Sequence, residues 1–197
     1  MTKTLKRLVL ASMMLALAAC ATVEDAPTGA YKVGTAYQVT LGREWSDISG
    51  SWGVKEKGVR VLSIDGPLLN RLYLTEGLAA GDCLVQSAVK EKPTPVYRAD
   101  FSPQDTVEFV ADSVTALGYL KVDTANLRPA KLGGAEAVRF DLTARTTDGL
   151  DISGSAVTAR KGGKLYVILY LAPSEHYYGA TLAEVDSIMN SAEFTGA

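Results

Sequence analysis

The cysteines and the histidine set the first limit on what chemistry this chain of 197 residues could perform. There are two cysteines, Cys20 and Cys83, and one histidine, His176. A catalytic thiol needs a base or a positive charge beside it, so Cys83 and His176 are the residues that could form such a pair. Nothing in their spacing favours pairing, and Cys83 is followed by Leu84 and Val85. The sequence therefore predicts a buried thiol acting as a small hydrophobe, with a reactive thiol as the alternative.

The other catalytic motifs are missing from the sequence. There is no Gly-x-Ser-x-Gly nucleophile elbow, no His-Glu-x-x-His zinc motif and no Gly-Lys-Ser/Thr loop that would cradle phosphate. Pairs of carboxylates, as in glycoside hydrolysis, exist by chance among 22 acidic side chains. No catalytic residue, metal ligand or cofactor is predicted.

A polar strand face offers a candidate binding surface. Between Ala135 and Arg145 the residues alternate, so that Arg139, Asp141 and Arg145 share a face opposite to apolar residues. Tyr166 and Tyr170 fall on the same face of the next strand but one. Arginine and tyrosine suit recognition because they combine large area with fixed hydrogen-bond geometry. Alternatively, the charges form a solvated face with cross-strand pairs, and the two tyrosines support a second helical layer.

A second candidate contact lies in the aromatic loop that contains His176, Tyr177 and Tyr178. An exposed tyrosine pair beside a histidine could bind a partner. Such tyrosines also commonly cap a sheet edge with their hydroxyls satisfied, and the sequence leaves both interpretations open.

The elements that would position these residues define an α+β domain. Helical spacing of apolar residues predicts helices at 102–118, where Ser102 and Pro103 fit the start, and at 181–191, where Thr181 and Glu184 have capping-box spacing. Three segments joined by short glycine-containing turns predict an antiparallel meander. Trp45 is placed in a short irregular or helical piece. The prediction is an antiparallel sheet of about five to seven strands flanked by the helices, with strands at 36–41, 59–64, 70–76, 135–145, 150–160 and 165–171.

The N-terminus has the layout of an export signal. Lys3, Lys6 and Arg7 precede a 12-residue apolar stretch that ends at Ala19, which is too short for a bilayer that needs about 20 residues. Residues 17–20, Leu-Ala-Ala-Cys, resemble the lipobox of bacterial lipoproteins. That resemblance implies lipid attachment at Cys20 after cleavage before it. An ordinary secretory signal that happens to contain a cysteine is the alternative.

The predicted cleavage and lipid attachment imply how the chain is divided and where the protein is located. Residues 1–19 are the signal peptide, 20–34 a lipidated flexible tether with few large apolar residues, and 35–197 a single domain. Two or three acyl chains would anchor the protein stably to a membrane. Ala21 after the cysteine resembles the outer-membrane sorting class, which implies the periplasmic face of the outer membrane.

The charge balance disfavours nucleic acid as a partner. The precursor has 20 basic and 22 acidic side chains. Loss of the leader removes three of the basic ones, which leaves a net charge of −5. An acidic chain without basic runs has no long-range attraction for a polyanion.

The C-terminal third resembles the PsbP-like superfamily, which includes the DcrB-like bacterial lipoproteins. A meander ends in the apolar strand 165–171, followed by Ala172-Pro173, the turn with Tyr177 and Tyr178, and a helix that runs into residues 190–194, Asn-Ser-Ala-Glu-Phe. The resemblance implies an antiparallel sheet flanked by helices. No catalytic residue defines that superfamily, and its members mostly act as accessory or binding proteins.

Together these features predict a membrane-anchored lipoprotein of the cell envelope that acts as a binding or accessory module rather than an enzyme. An envelope hydrolase with an acid-based or Cys-based site is the main alternative. Self-association is a third possibility, although no heptad pattern supports a coiled coil. The protein or small-molecule partner is not indicated by the sequence.

Overall fold

Antiparallel strands make up most of the structure. The computed structural model describes residues 23–50, 57–88 and 92–195. Within these ranges the chain forms two α-helices, α1 (Pro103–Ala116) and α2 (Gly179–Asn190). It also forms eleven strands: β1 (Glu24–Ala26), β2 (Gly29–Val33), β3 (Tyr37–Leu41), β4 (Trp45–Asp47), β5 (Val59–Ser63), β6 (Arg71–Thr75), β7 (Leu120–Leu132), β8 (Ala135–Arg145), β9 (Asp151–Lys161), β10 (Lys164–Pro173) and β11 (Glu193–Phe194).

The strands form two sheets whose layers explain the apolar pattern. Eight strands pair in the order β1-β4-β5-β6-β10-β9-β8-β7, and a smaller sheet has the order β11-β3-β2. Helix α1 packs on one face of the large sheet, while α2 and the small sheet cover the other face. Strand β10 is apolar on both sides because it lies inside the sheet between β6 and β9 and each of its faces meets one of these layers.

The predicted meander and first helix are confirmed. Strands β8, β9 and β10 pair antiparallel along almost their whole length. Helix α1 begins with a capping box, in which Asp105 N donates to Ser102 Oγ at 3.1 Å and Ser102 N donates to Asp105 Oδ2 at 2.7 Å. The chain leaves the helix through Gly118, whose φ of 96° favours glycine.

The predicted start of the second helix is wrong. Helix α2 begins at Gly179, directly after an irregular turn formed by Ser174–Tyr178, and has no side-chain cap. Thr181 is buried inside the helix, and the Glu184 carboxylate accepts instead from Gly42 N at 2.7 Å. The Glu184 carboxylate, which the local spacing assigned to a capping box, therefore accepts a hydrogen bond from a residue that is distant in the sequence.

The number of strands is higher than predicted, and the longest strand that the sequence pattern misses, β7, forms one edge of the large sheet. Strand β7 has 13 residues, includes Pro129, and is interrupted by two irregularities in its pairing with β8. Most of its side chains are exposed, so it shows no apolar alternation. Proline and bulges are typical of edge strands, where they protect an open edge.

The predicted tether is wrong for most of its length. Strand β1 pairs with β4, and β2 pairs with β3, so residues 24–33 already belong to the sheets. Tyr31 donates to Asp47 Oδ2 at 2.6 Å, which joins the small sheet to the large one. Trp45, expected in an irregular or helical piece, lies in β4 and is 1% exposed. Short strands with a single buried residue carry too little apolar pattern to be recognised.

The leader and Cys20 lie outside the described residues. Among the helices of the described ranges, neither combines the length and the apolar character needed to cross a bilayer.

Candidate functional site

The predicted binding face lies on the side of the sheet that α2 and the small sheet cover. Cross-strand pairing places Asp141 opposite Ser155 and Ser155 opposite Tyr170, so these three residues share one row. Tyr170 is fully buried and Tyr166 is 8% exposed. Both tyrosines therefore support the covering layer, which is the alternative that the sequence left open, and neither presents a free surface to a partner.

Part of the same face remains open as a cleft between β7, β8, β9 and the start of α2. Its volume is about 340 Å³. The side chains around it are mostly polar: Arg128, Arg139, Asp141, Thr143, Ser153, Ser155, Tyr178 and Asp186, together with Leu142, Gly154 and Leu182. We call this site the polar cleft.

A bulge in β7 positions the first ion pair of the polar cleft. The pairing of β7 with β8 shifts between Ala125 and Arg128, and Asn126 there has a φ of 54°. Arg128 Nη2 donates to Asp141 Oδ1 at 3.0 Å, and Asn126 Nδ2 donates to Asp141 Oδ2 at 2.9 Å. Bulges often occur where a strand must aim a side chain at a site, and this one aims two donors at one carboxylate.

The environment of Asp141 keeps it ionised. Partial burial raises the pKa of its carboxyl, but the hydrogen bonds from Arg128 and Asn126 and the positive charge of Arg128 outweigh burial, so the pKa lies below the ordinary 3.8. Asp141 is therefore an acceptor at neutral pH and cannot act as a general acid.

The second ion pair joins the sheet to α2. Arg139 Nη2 donates to Ser155 Oγ at 3.1 Å and to Asp186 Oδ1. The Arg139 side chain is 14% exposed, whereas that of Asp186 is 45% exposed. Arg139 Nε is buried, and it has no hydrogen-bond partner among the described residues. Unsatisfied buried donors are rare in folded proteins, and this one leaves Arg139 with a donor to spare at the polar cleft.

Tyr178 forms the wall of the polar cleft beside α2. Its ring stacks on Tyr170 with centroids 5.8 Å apart, and its hydroxyl donates to Gly154 O at 3.3 Å. Burial, followed by the negative charges of Asp141 and Asp186, raises the pKa of Tyr178 to about 12. The hydroxyl therefore stays protonated and remains a donor at any physiological pH.

The turn that carries Tyr178 is strained. His176 has φ 65° and ψ −62°, a conformation that residues other than glycine rarely adopt. Such strain persists only where the surroundings enforce it, and it is concentrated at functional sites. His176 itself is exposed and stacks edge-on against Tyr177 with centroids 5.2 Å apart.

The structure thus brings together three of the predicted surface residues, Arg139, Asp141 and Tyr178. Arg145 is not among the residues that line the polar cleft, and it pairs with Asp151, with Nε 2.7 Å from Oδ1. Sequence reasoning missed Arg128 and Asp186. Arg128 lies in the unrecognised strand β7, and Asp186 lies on the polar side of a helix whose docking was unknown.

The structure gives no support for a cysteine–histidine pair. Cys83 is half-buried rather than buried, and its Sγ accepts a hydrogen bond from Gln86 Nε2 at 3.8 Å. Leu84, next to it, belongs to the core on the α1 side of the large sheet, whereas Tyr177, next to His176, packs against the core on the α2 side. Among the described residues, no three His, Cys, Asp or Glu side chains are grouped as a metal site.

Comparisons with known proteins identify the fold. The structure is similar to that of the cyanobacterial PsbP protein CyanoP from Synechocystis sp. PCC 6803, with a TM-score of 0.53, 13% sequence identity and coverage of 91% of this chain and 96% of CyanoP. The protein therefore has a PsbP-like fold, as the sequence resemblance implied.

Two other solved structures align over most of the chain with lower scores. LpqN, involved in cell envelope biogenesis of Mycobacterium tuberculosis, has a TM-score of 0.40 and 10% identity, with coverage of 88% of this chain and 92% of LpqN. PA94, a protein of unknown function from Pseudomonas aeruginosa, has a TM-score of 0.38 and 9% identity, with coverage of 82% and 95%. No protein-family model and no curated protein sequence matches the chain.

Proposed function

We propose that this protein is a lipid-anchored accessory module of a bacterial cell envelope, and that it binds a polar ligand in the polar cleft without transforming it. The observation that carries the proposal is the convergence of two arginines, two aspartates and a tyrosine on one open cleft. The pKa of Asp141 lies below 3.8 and that of Tyr178 is about 12. A general acid or base works best with a pKa near the operating pH, so these two groups suit recognition rather than proton transfer.

The polar cleft has the features of a binding site. It offers fixed donors and acceptors from three strands and a helix, and an aromatic wall in Tyr178. Its two ion pairs are partly exposed, so a ligand can reach them. Ligand sites typically combine a preformed cleft with a few convergent polar groups.

The anchor rests on the resemblance of residues 17–20 to a lipobox. In the proposal Cys20 carries the lipid, and Ala21 directs the protein to the periplasmic face of the outer membrane. The first strand begins at Glu24, four residues after Cys20. Fully extended, four residues reach about 14 Å. The domain would therefore sit close to the bilayer rather than at the end of a long tether.

The anchor is tested by labelling cells with a radioactive fatty acid. We expect label in the wild-type protein and none after Cys20→Ser, together with release of the variant into the soluble envelope fraction. Cys83→Ser is the matched control, because it removes the other cysteine and should keep the label. An unlabelled wild-type protein would overturn the anchor.

The binding role is tested with a photo-crosslinking amino acid at Thr143, an exposed position on the polar cleft. The same amino acid at Glu108, on the exposed side of α1, is the control. We expect a discrete adduct from position 143 in intact cells and none from position 108. Conversion of the captured molecule into a product by the purified protein would contradict the non-catalytic role.

A further inference from the structure

Two arginines face each other across neighbouring strands in the polar cleft. Arg128 on β7 and Arg139 on β8 are direct cross-strand partners, and both line the cleft. Side chains in such positions point to the same face with their Cβ atoms about 5 Å apart, and like charges there repel. The arrangement therefore needs negative charge between or beside the two guanidinium groups.

The protein supplies that negative charge unequally. Asp141 is held by two donors, Arg128 and Asn126, through both of its oxygens. Asp186 reaches Arg139 from α2 through one oxygen only, and its side chain is 45% exposed. A half-exposed carboxylate that makes one contact loses little when it rotates into water. Asp186 is the replaceable partner of the two.

Arg139 has unused capacity for an anion. Its Nη2 already donates twice, but its Nε is buried and unpartnered among the described residues. The Nε–H and Nη2–H groups of a guanidinium form a fork that matches two oxygens of a carboxylate or phosphate. Asp186 occupies only one prong of this fork.

We propose that the polar cleft binds an oxyanion, a carboxylate or phosphate group of the ligand, which replaces Asp186 on Arg139 and bridges to Arg128. This inference rests on the proposed function, since it names the chemical group that the binding site takes. Asp186 then acts as an internal substitute that neutralises Arg139 while the site is empty. The apparent affinity for the oxyanion is therefore lowered, because only the molecules in which Asp186 has released Arg139 can bind it.

The test uses inorganic phosphate and acetate as separate probes, titrated into the purified protein at constant ionic strength with chloride as the balancing ion. The readout is the Nε–H resonance of Arg139 in nitrogen-15 NMR spectra, assigned by its loss in Arg139→Gln. We expect this resonance to shift with either or both probes. The stronger probe then indicates whether the natural ligand carries a phosphate or a carboxylate.

The decisive variant is Asp186→Asn, which removes the internal competitor. We expect it to tighten binding of the stronger probe by about fivefold to tenfold. Asp100→Asn is the matched control, because it removes an exposed arginine–aspartate pair, Arg98–Asp100, that does not line the cleft. It should leave binding unchanged. Unchanged or weaker binding in Asp186→Asn would overturn the proposal.

Arg128→Gln keeps the test valid if loss of the more buried Arg139 prevents folding. We expect it to weaken probe binding at least fivefold. The crosslinker at Thr143 separates this proposal from the proposed function. If it captures a ligand, and the yield of the adduct is the same in Arg128→Gln and is not reduced by excess phosphate or acetate, the oxyanion assignment fails and the binding function stands. If no ligand is captured and no anion shifts Arg139, both proposals fail.

Discussion

Two networks of charged side chains differ in how completely they are satisfied. In the first, which joins the two sheets, Asp47 is 7% exposed and both of its oxygens are occupied. Oδ2 accepts from Tyr31 Oη at 2.6 Å, and Oδ1 accepts from Ser49 N at 2.9 Å and from the Ser49 hydroxyl. Arg60 lies nearby, with Nη1 4.0 Å from Oδ2. We call this the Asp47 network.

The polar cleft contains similar residue types, but its carboxylates are less buried than that of Asp47 and its charged groups are less completely hydrogen-bonded. Its ion pairs are partly exposed, Arg139 keeps an unpartnered Nε among the described residues, and two arginines face each other. A buried network with every partner in place makes the fold specific and rigid. A network that is open and incomplete is better suited to receive a group from outside. The completeness of hydrogen bonding, rather than the residue types, therefore distinguishes the structural role of the Asp47 network from the binding role of the polar cleft.

The largest effect should come from breaking the Asp47 network. We expect Asp47→Ala to lower the free energy of unfolding by about 3 kcal/mol, because the hydroxyl of Tyr31 and the Ser49 donors lose their acceptor. Urea denaturation of Asp47→Ala and Asp186→Ala makes the comparison direct. Asp186→Ala should cost less than about 1 kcal/mol, as a half-exposed pair does. Equal losses would show that the two networks are alike.

A smaller effect is expected from the bulge that builds the polar cleft. Asn126→Ala removes a hydrogen bond to Asp141 and places alanine at a φ of 54°, so we expect a loss of about 1 to 2 kcal/mol. Asn126→Gly loses the same amide but relieves the backbone cost, and it should recover part of the stability. If the two variants are equally stable, the backbone conformation contributes nothing.

The pH dependence of stability should reveal the state of Asp141. Its pKa is lowered in the folded protein, so ionised Asp141 stabilises the fold above its unfolded pKa near 3.8, and this contribution is lost as the pH falls through the lower folded value. We expect the difference in unfolding free energy between wild type and Asp141→Asn to be constant above about pH 5 and to shrink below pH 4. A difference that grows toward low pH would contradict the lowered pKa.

The smallest expected effect concerns Tyr178. Tyr178→Phe removes a hydrogen bond of 3.3 Å and should change the unfolding free energy by less than about 1 kcal/mol. In a spectrophotometric titration of tyrosine ionisation, the variant should lack one step near pH 12 and match the wild type below pH 11. Loss of a step near pH 10 would place Tyr178 in solvent rather than on the wall of the polar cleft.

Much of the fold follows from local pattern, whereas the candidate site does so only in part. The alternation in β8 predicts correctly that Arg139 and Asp141 share a face, and the apolar run of β10 predicts a strand covered on both sides. The same pattern does not show which elements cover Tyr166 and Tyr170, and the structure identifies them as α2 and the small sheet. The pattern also gives no sign of β7, whose exposed residues and proline resemble those of a loop.

The sequence by itself determines the helix α1 with its cap, the meander of β8 to β10, and the predominance of antiparallel pairing. Periodicity and capping depend on residues that are neighbours along the chain, so they can be read without knowing the fold. Only the tertiary structure decides that Arg128 stands opposite Arg139 and that Asp186 reaches across from α2. Those contacts join residues 11 and 47 positions apart. They depend on the register of an irregular edge strand and on where a helix docks, and neither leaves a local pattern in the sequence.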